Sequence, residues 1–360
     1  MINIETVKNA VSNKIFMGKY AQGRNYPLNF CYYRINVYEL ANGEYNYNYK
    51  LDIKIEYEDR SIQESAVLRI NYGSQMNLEN QIEYEYNALE YLKETGVTPV
   101  PILMDLSKEL LEKEYLIMEF IEGNTFDYKS DMYSGAECLS KIHKYKKETE
   151  FKFIEPEDPF SAILEECKNM YSKYEKSSFF DNEIDMRIKV IFSYIEKRLK
   201  ENESEKKSEK VLINTELNSS NFIMGDGKCY LIDWEKPIIG EKEQDLGHFL
   251  APTTTFWKTD VVLSKKEIDK FIEIYYKMYY NRKDACIEEL NLQNQYTIFK
   301  EKVYKYIVFN CLRGLTWCSM AWVEYNNSEK ALINEFTYNK LKEYLKLEYI
   351  DNIIESFIKN

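Results

Sequence analysis

The residues best suited to chemistry gather in one stretch of this chain, Val211 to Glu235, VLINTELNSSNFIMGDGKCYLIDWE. Two apolar runs, Phe222–Met224 and Cys229–Ile232, flank the turn Gly225-Asp226-Gly227-Lys228. A Gly-flanked turn between β-rich runs signals a hairpin. Because the arms are of similar length, Asn221, which enters the first, is expected beside Asp233, which leaves the second. Two hard oxygen ligands side by side suit Mg²⁺ when phosphate oxygens and water complete its shell. Glu216, five residues before Asn221, adds a carboxylate able to act as a base. The bland alternative is a solvated hairpin whose turn selects Asn and Asp for their local hydrogen bonding.

The order of these residues, acid, Asn, then Asp across apolar strands, is the order protein kinases use in their catalytic and metal-binding loops. The wording is closer to another branch. "LIDWE" followed by "IGEKEQDLGHF" resembles the aminoglycoside phosphotransferase and choline kinase-like family. That resemblance implies that Asn221 and Asp233 hold the metal and that Asp245 braces the catalytic loop. The family usually writes His-Gly-Asp-Leu-His-x-x-Asn, where this chain has Asn214-Thr215-Glu216-Leu217-Asn218-Ser219-Ser220-Asn221. Glu216 thus stands at the catalytic Asp position, one methylene longer. A carboxylate is kept, but a shift in reach of roughly an ångström can cost about 10²-fold in rate.

The elements that must position these residues are legible upstream. A helix is expected over Ile4–Phe16, and strands over Ile35–Leu40, Tyr45–Tyr57 and Ser65–Ile70, rich in Tyr, Ile and Val with alternating polar positions. The turn between the first two strands carries Gly43 and Asn46, where kinases fold a loop whose backbone N–H groups meet the ATP phosphates. The third strand brings Arg69 to the place of the kinase Lys; Arg is a permanent cation that binds phosphate bidentately. A helix over Asn80–Glu94 buries Ile82, Tyr86, Leu89 and Leu92 on one face. It offers Glu85 as the partner acid, with Glu79, Glu83 and Glu90 as competitors. A further strand opens at Thr98–Ile102, and Glu114–Ile121 resembles the family's interlobe hinge, which implies that backbone groups near Met118 and Phe120 meet the purine edge.

Beyond Glu122-Gly123-Asn124 the periodicity becomes helical. Helices are expected over Asp131–Lys147, ending in His143, and over Pro159–Tyr174, Ile184–Leu199, Lys265–Asn281, Gln295–Glu324 and Lys330–Leu345. The segment Leu250–Trp257 reads as a polar and aromatic loop. The family builds its acceptor pocket from C-terminal helices, which points to Trp317, Trp322 and Glu324; plain core packing is the competing reading of those aromatics.

Composition bounds the function. The chain has 360 residues and a net charge of −12, which argues against a nucleic-acid partner, since that needs a basic footprint. Seven cysteines without a C-x-x-C pair, and only two histidines, argue against structural zinc. The N-terminal MINIETVKNAVSNKIF has no apolar core before a cleavage site, and no apolar run approaches membrane-spanning length. A soluble cytoplasmic protein is expected. The fold class is α+β, two-lobed and protein-kinase-like: an antiparallel-sheet nucleotide lobe over 1–122 and a mainly helical catalytic and acceptor lobe over 123–360. The function expected from the resemblance is Mg²⁺-dependent transfer of the γ-phosphate of ATP or GTP to a hydroxyl of a small molecule, such as an aminoglycoside, a choline-like amine or a sugar. The alternatives are a catalytically silent nucleotide-binding or regulatory relative, and a purely structural helical protein.

Overall fold

A computed structural model of the chain describes residues 3–40, 45–74, 76–201, 209–281, 290–328 and 334–359. The expected turn around Gly43 lies outside the described residues, as does most of the charged run 200–210. The chain divides into two compact units: Met1–Asn124 with Tyr145–Phe153 and Ile223–Pro237, and Thr125–Lys144 with Ile154–Phe222 and Ile238–Asn360.

The first unit is built on a five-stranded antiparallel sheet, order β1-β2-β3-β5-β4, from β1 (Tyr32–Glu39), β2 (Asn46–Glu56), β3 (Ser61–Asn71), β4 (Pro101–Asp105) and β5 (Tyr115–Glu119). The expected five-stranded sheet with one helix is therefore present. Side chains alternate across a strand, and the alternation here is strict in β2 from Tyr49 to Glu56. Tyr49, Leu51, Ile53 and Ile55 bury one face together with Leu68, Ile70 and Ile117, while Asn48, Lys50 and Asp52 occupy the other. The buried face is covered by α1 (Ile4–Val11) and α2 (Lys14–Gly23), through Val7, Val11, Phe16, Met17 and Tyr20. A single helix over Ile4–Phe16 was expected, and the chain instead breaks at Ser12-Asn13. Asn13 caps α2 by accepting from the Ile15 N–H at 2.8 Å, and such an Asn favours a new N-terminus over an uninterrupted helix. Helix α3 (Gln81–Leu92) buries Ile82, Glu85, Ala88, Leu89 and Leu92.

Strand β6 (Asn124–Thr125) leads into the second unit. Its helices are α4 (Met132–Lys144), α5 (Pro159–Glu175), α6 (Asn182–Glu201), α7 (Lys242–Leu250), α8 (Pro252–Lys258), α9 (Lys265–Tyr279), α10 (Leu290–Asn326), α11 (Glu335–Tyr344) and α12 (Leu347–Phe357). Strand β7 (Lys210–Ile213) pairs antiparallel with β10 (Ile238–Glu241), a pairing that four-residue strands do not announce in sequence. The expected loop at Leu250–Trp257 is in fact the end of α7 and a short helix, α8. Pro252 sits in its first turn, where its missing N–H costs nothing and its fixed φ favours helix. Helix α9 starts with a capping box between Ser264 and Glu267.

The organising hairpin is present as β8 (Phe222–Gly225) and β9 (Lys228–Leu231). Asp226 and Gly227 between them have φ of 50° and 74°, the double left-handed turn whose twist matches the strands. The boundary between the units crosses β8, between Phe222 and Ile223. Of the cysteines among the described residues, Cys31 is exposed and Cys138, Cys167, Cys229, Cys311 and Cys318 are buried free thiols. Burial pushes the Cys167 and Cys311 thiols up to about 12. Among the described residues no helix is long and apolar enough to cross a membrane.

Candidate active site

In the first unit the charged residues converge on Arg69. Its Nη1 donates to Glu85 Oε1 at 2.7 Å and to Asp233 Oδ1 at 2.9 Å, and its Nε donates to Asn48 Oδ1 at 3.0 Å. Of the four acids offered by the α3 segment, Glu85 is the one that meets Arg69. Both partners are buried, at 7% and 1% exposure. A buried ion pair must recover its desolvation through geometry and further hydrogen bonds, and the Arg fork makes this possible because one guanidinium serves three acceptors at once. Burial alone pushes the Glu85 carboxyl upward, with Arg69 opposing. For Arg69, burial disfavours the cation, but Glu85, Asp233 and Glu235 outweigh it and raise its pKa.

The Asp233-Trp234-Glu235 segment is fixed at several points. Trp234 is fully buried and its Nε1 donates to the Leu231 carbonyl at 3.0 Å. Gln81 Nε2 donates to the Glu235 carbonyl at 2.7 Å, and Tyr84 donates its hydroxyl proton to the Pro237 carbonyl at 2.7 Å. Asn46 is 3% exposed; its Nδ2 donates to Glu235 Oε2 at 2.5 Å and its Oδ1 accepts from Asn71. Its side chain is therefore spent on holding this segment. Asp233 has φ of 66°, a left-handed conformation costly for a residue with a Cβ and frequent at functional sites. Met118 sits in β5 with a strand on each side, opposite Val67 and Pro101, and Phe120 follows immediately after the strand.

In the second unit the loop from Asn214 to Asn221 is organised by Asp245. That carboxylate is fully buried and accepts from the backbone N–H groups of Asn214 and Thr215, each at 2.9 Å, and from His143 Nε2 at 3.1 Å. His143 Nδ1 lies 2.8 Å from the Tyr275 hydroxyl. Burial holds the Tyr275 phenol well above its usual range, so it keeps its proton where it meets Nδ1. Thr215 has φ of 71°, a strained value for a β-branched residue, and it immediately precedes Glu216. The Glu216 N–H donates to Asn214 Oδ1 at 3.0 Å, and its carbonyl accepts from Asn221 Nδ2 at 2.7 Å. With Nδ2 committed in this way, the Asn221 amide presents its oxygen on its other side.

Three residues that sequence reasoning left without a role belong to these arrangements. Asn48 lies opposite Arg69 in the β2–β3 register, a pairing visible only once the register is known. His248 accepts from the Leu217 N–H at 3.3 Å; it stands three residues after Asp245, the spacing that shares a helix face. Arg313 on α10 pairs with Glu166 on α5 at 2.9 Å and also feels the charge of Glu216.

The model of the phosphotransferase enzyme family matches residues 39–275 of this sequence. The chain belongs to the phosphotransferase enzyme family. Solved structures agree on the protein-kinase-like fold. A choline kinase from Cryptosporidium parvum aligns with a TM-score of 0.57 at 15% identity, covering 89% of this chain and 90% of that one. A putative aminoglycoside phosphotransferase from Ralstonia eutropha gives 0.57 at 13% identity, covering 98% and 99%. A choline kinase from Streptococcus pneumoniae gives 0.52 at 20% identity, covering 92% and 98%. No curated protein matches the sequence significantly. As a member of this family the chain is a small-molecule phosphotransferase in class, and the residues around Arg69 and Asp245 are its candidate machinery.

Proposed function

We propose that the protein transfers the γ-phosphate of ATP or GTP to a hydroxyl group of a small molecule, with Mg²⁺ as cofactor. The observation that carries this reading is the set Arg69, Glu85 and Asp233, in which the buried Arg69 cation is held against a strained, part-exposed acid by the buried Glu85 carboxylate. Phosphoryl transfer asks chiefly for positioning and charge neutralisation, and this is chemistry that such a set supplies. Hard oxygens fit Mg²⁺, and Asp233 and Asn221 are the residues that would hold it. When bound, Mg²⁺ supplies neutralisation of charge on the phosphate oxygens.

The chain's own residues have separable tasks. Arg69 contacts the phosphates, with Glu85 and Asn48 fixing its orientation. Gly43 is assigned to the phosphate loop from its place in the sequence, and Asn46 secures the Asp233-Trp234-Glu235 segment. Met118 and Phe120 border the base. Glu216 orients the acceptor hydroxyl and takes its proton, on a loop whose backbone is held by Asp245, Asn214 and Asn221. The acceptors in view are aminoglycosides, choline-like amines and sugars, and a net charge of −12 favours the cationic ones through long-range attraction.

Thermal unfolding with ATP or GTP, each with and without Mg²⁺, tests the reading. A ligand that binds only the folded state adds about 2.7 kcal/mol at 100 times its Kd. A melting shift that requires both nucleotide and Mg²⁺ is expected, and it should vanish in Asp233→Ala. With an acceptor in hand, Glu216→Gln should keep the nucleotide shift and lose about 10²–10⁴-fold in turnover. A shift with nucleotide alone points instead to a silent nucleotide-binding relative, and no shift at millimolar nucleotide overturns the reading.

A further inference from the structure

The face of the first unit's sheet that carries Arg69 continues past it. Register sets Asn48 opposite Arg69, Lys50 opposite Val67, and Val67 opposite Met118. With a side-chain period of two, Lys50, Val67 and Met118 share the face of Arg69, away from the α1–α2 core where Tyr49, Leu51, Leu68 and Ile117 are buried. Phe120, two residues beyond Met118, extends this apolar strip, and the Lys50 ammonium stands 4.6 Å from the centre of its ring. Lys50 also pairs with Asp52 at 3.1 Å, and its side chain is 29% exposed.

A nucleotide has one anionic end and one flat, largely apolar end. If its phosphates lie at Arg69, as the phosphotransferase reading holds, its base falls on Val67, Met118 and Phe120, beneath the Lys50 stem. We infer that Lys50 reads the base there and selects a guanine nucleotide over an adenine one; this inference rests on that reading. An ammonium has three donors and no acceptor. Guanine presents two acceptors, O6 and N7, along the edge where adenine sets an N6 amino donor beside N7. The Phe120 ring holds the cation through its electron-rich face, so Lys50 is placed before the base arrives. Adenine in the same place would set donor against donor.

Calorimetric titration of the full chain with the Mg²⁺ complexes of GDP, IDP and ADP tests this. GDP should bind about tenfold or more tightly than ADP, the size of a hydrogen bond to a charged group. IDP, which keeps O6 and N7 but lacks the guanine amino group, should bind like GDP. Lys50→Met, close to Lys in volume, should abolish the preference while leaving the nucleotide-free melting temperature close to wild type, and Lys50→Arg should restore it. ADP binding as tightly as GDP, IDP binding like ADP, or a preference untouched in Lys50→Met would each overturn the inference while leaving the phosphotransferase reading intact. Failure of all three nucleotides to bind would overturn both together.

Discussion

At Arg69 a single guanidinium faces Glu85, Asp233 and Glu235 in a buried setting. Removing the cation strands a carboxylate that is 1% exposed. Breaking a buried pair in this way costs about 3–5 kcal/mol, whereas replacing both partners with neutral groups is far milder. Arg69→Met is therefore expected to lower stability by about that much in urea unfolding, and Arg69→Met with Glu85→Gln to recover more than half of it. A double variant no better than the single would show that the guanidinium acts through packing alone. The residue types of this cluster were legible in sequence: Arg69 at a strand end, Asp233 after an apolar run. The choice of Glu85 among four acids was not, because helical phase alone leaves several acids near the buried face. Nor was the role of Asn46, since an Asn near a turn reads as turn chemistry and its bond to Glu235 joins residues 189 apart in sequence.

Elements were read best where periodicity is long and worst where local hydrogen bonding decides. The five strands of the sheet and the long helices follow from alternation and helical spacing. The break at Asn13, the helix at Pro252 and the strand β10 depend on single capping residues or on a partner strand, and neither leaves a periodic signal. The docking of α2 on β4 also depends on side chains distant in sequence. Lys19 bonds Asp105 Oδ2 at 2.6 Å, Ser107 donates to Oδ1 from its backbone and its hydroxyl, and Tyr115 donates its phenolic proton at 3.0 Å. Burial pushes the Asp105 carboxyl upward, but these donors outweigh it and bring it down to about 2. Because the folded value lies below the unfolded one, this stabilisation is present at neutral pH and is lost as pH falls from 3.8 toward about 2. At about 1.4 kcal/mol per unit it amounts to about 2 kcal/mol. Asp105→Asn should be less stable than wild type by about that amount at pH 7, and the gap should close on acidification. A gap independent of pH in denaturant titrations at several pH values would refute the assignment.

At the scale of the whole molecule, the order of parts along the chain was legible, from sheet to helices with the β8–β9 hairpin late, because composition and periodicity change along the chain in that order. Linear order could not say which unit a late segment folds with. Ile223–Pro237 belongs to the same compact unit as the N-terminal sheet, and the reason lies in specific bonds. The Leu231 N–H donates to the Val97 carbonyl at 2.9 Å, Lys228 reaches the Gly96 carbonyl at 2.8 Å, and Gln81 and Tyr84 hold the Glu235 and Pro237 carbonyls. Tyr145 and Lys147 likewise bond Glu94. A fragment of residues 1–124 would keep its sheet and its α1–α2 core but lose every one of these partners, leaving Glu85 and Arg69 buried without Asp233. Such a fragment is expected to lack a sharp cooperative unfolding transition. Extending it through residue 237 restores the missing bonds but cuts β10 and α7 from the Asn214–Asn221 loop, which Asp245 braces from within the second unit. Neither cut respects both units, so the full chain should unfold cooperatively where each fragment does not. Urea titration followed by circular dichroism, together with amide dispersion in a proton–nitrogen correlation spectrum, decides the matter. A sharp transition and a well-dispersed spectrum from 1–124 alone would mean that the late segments decorate the first unit and do not complete it.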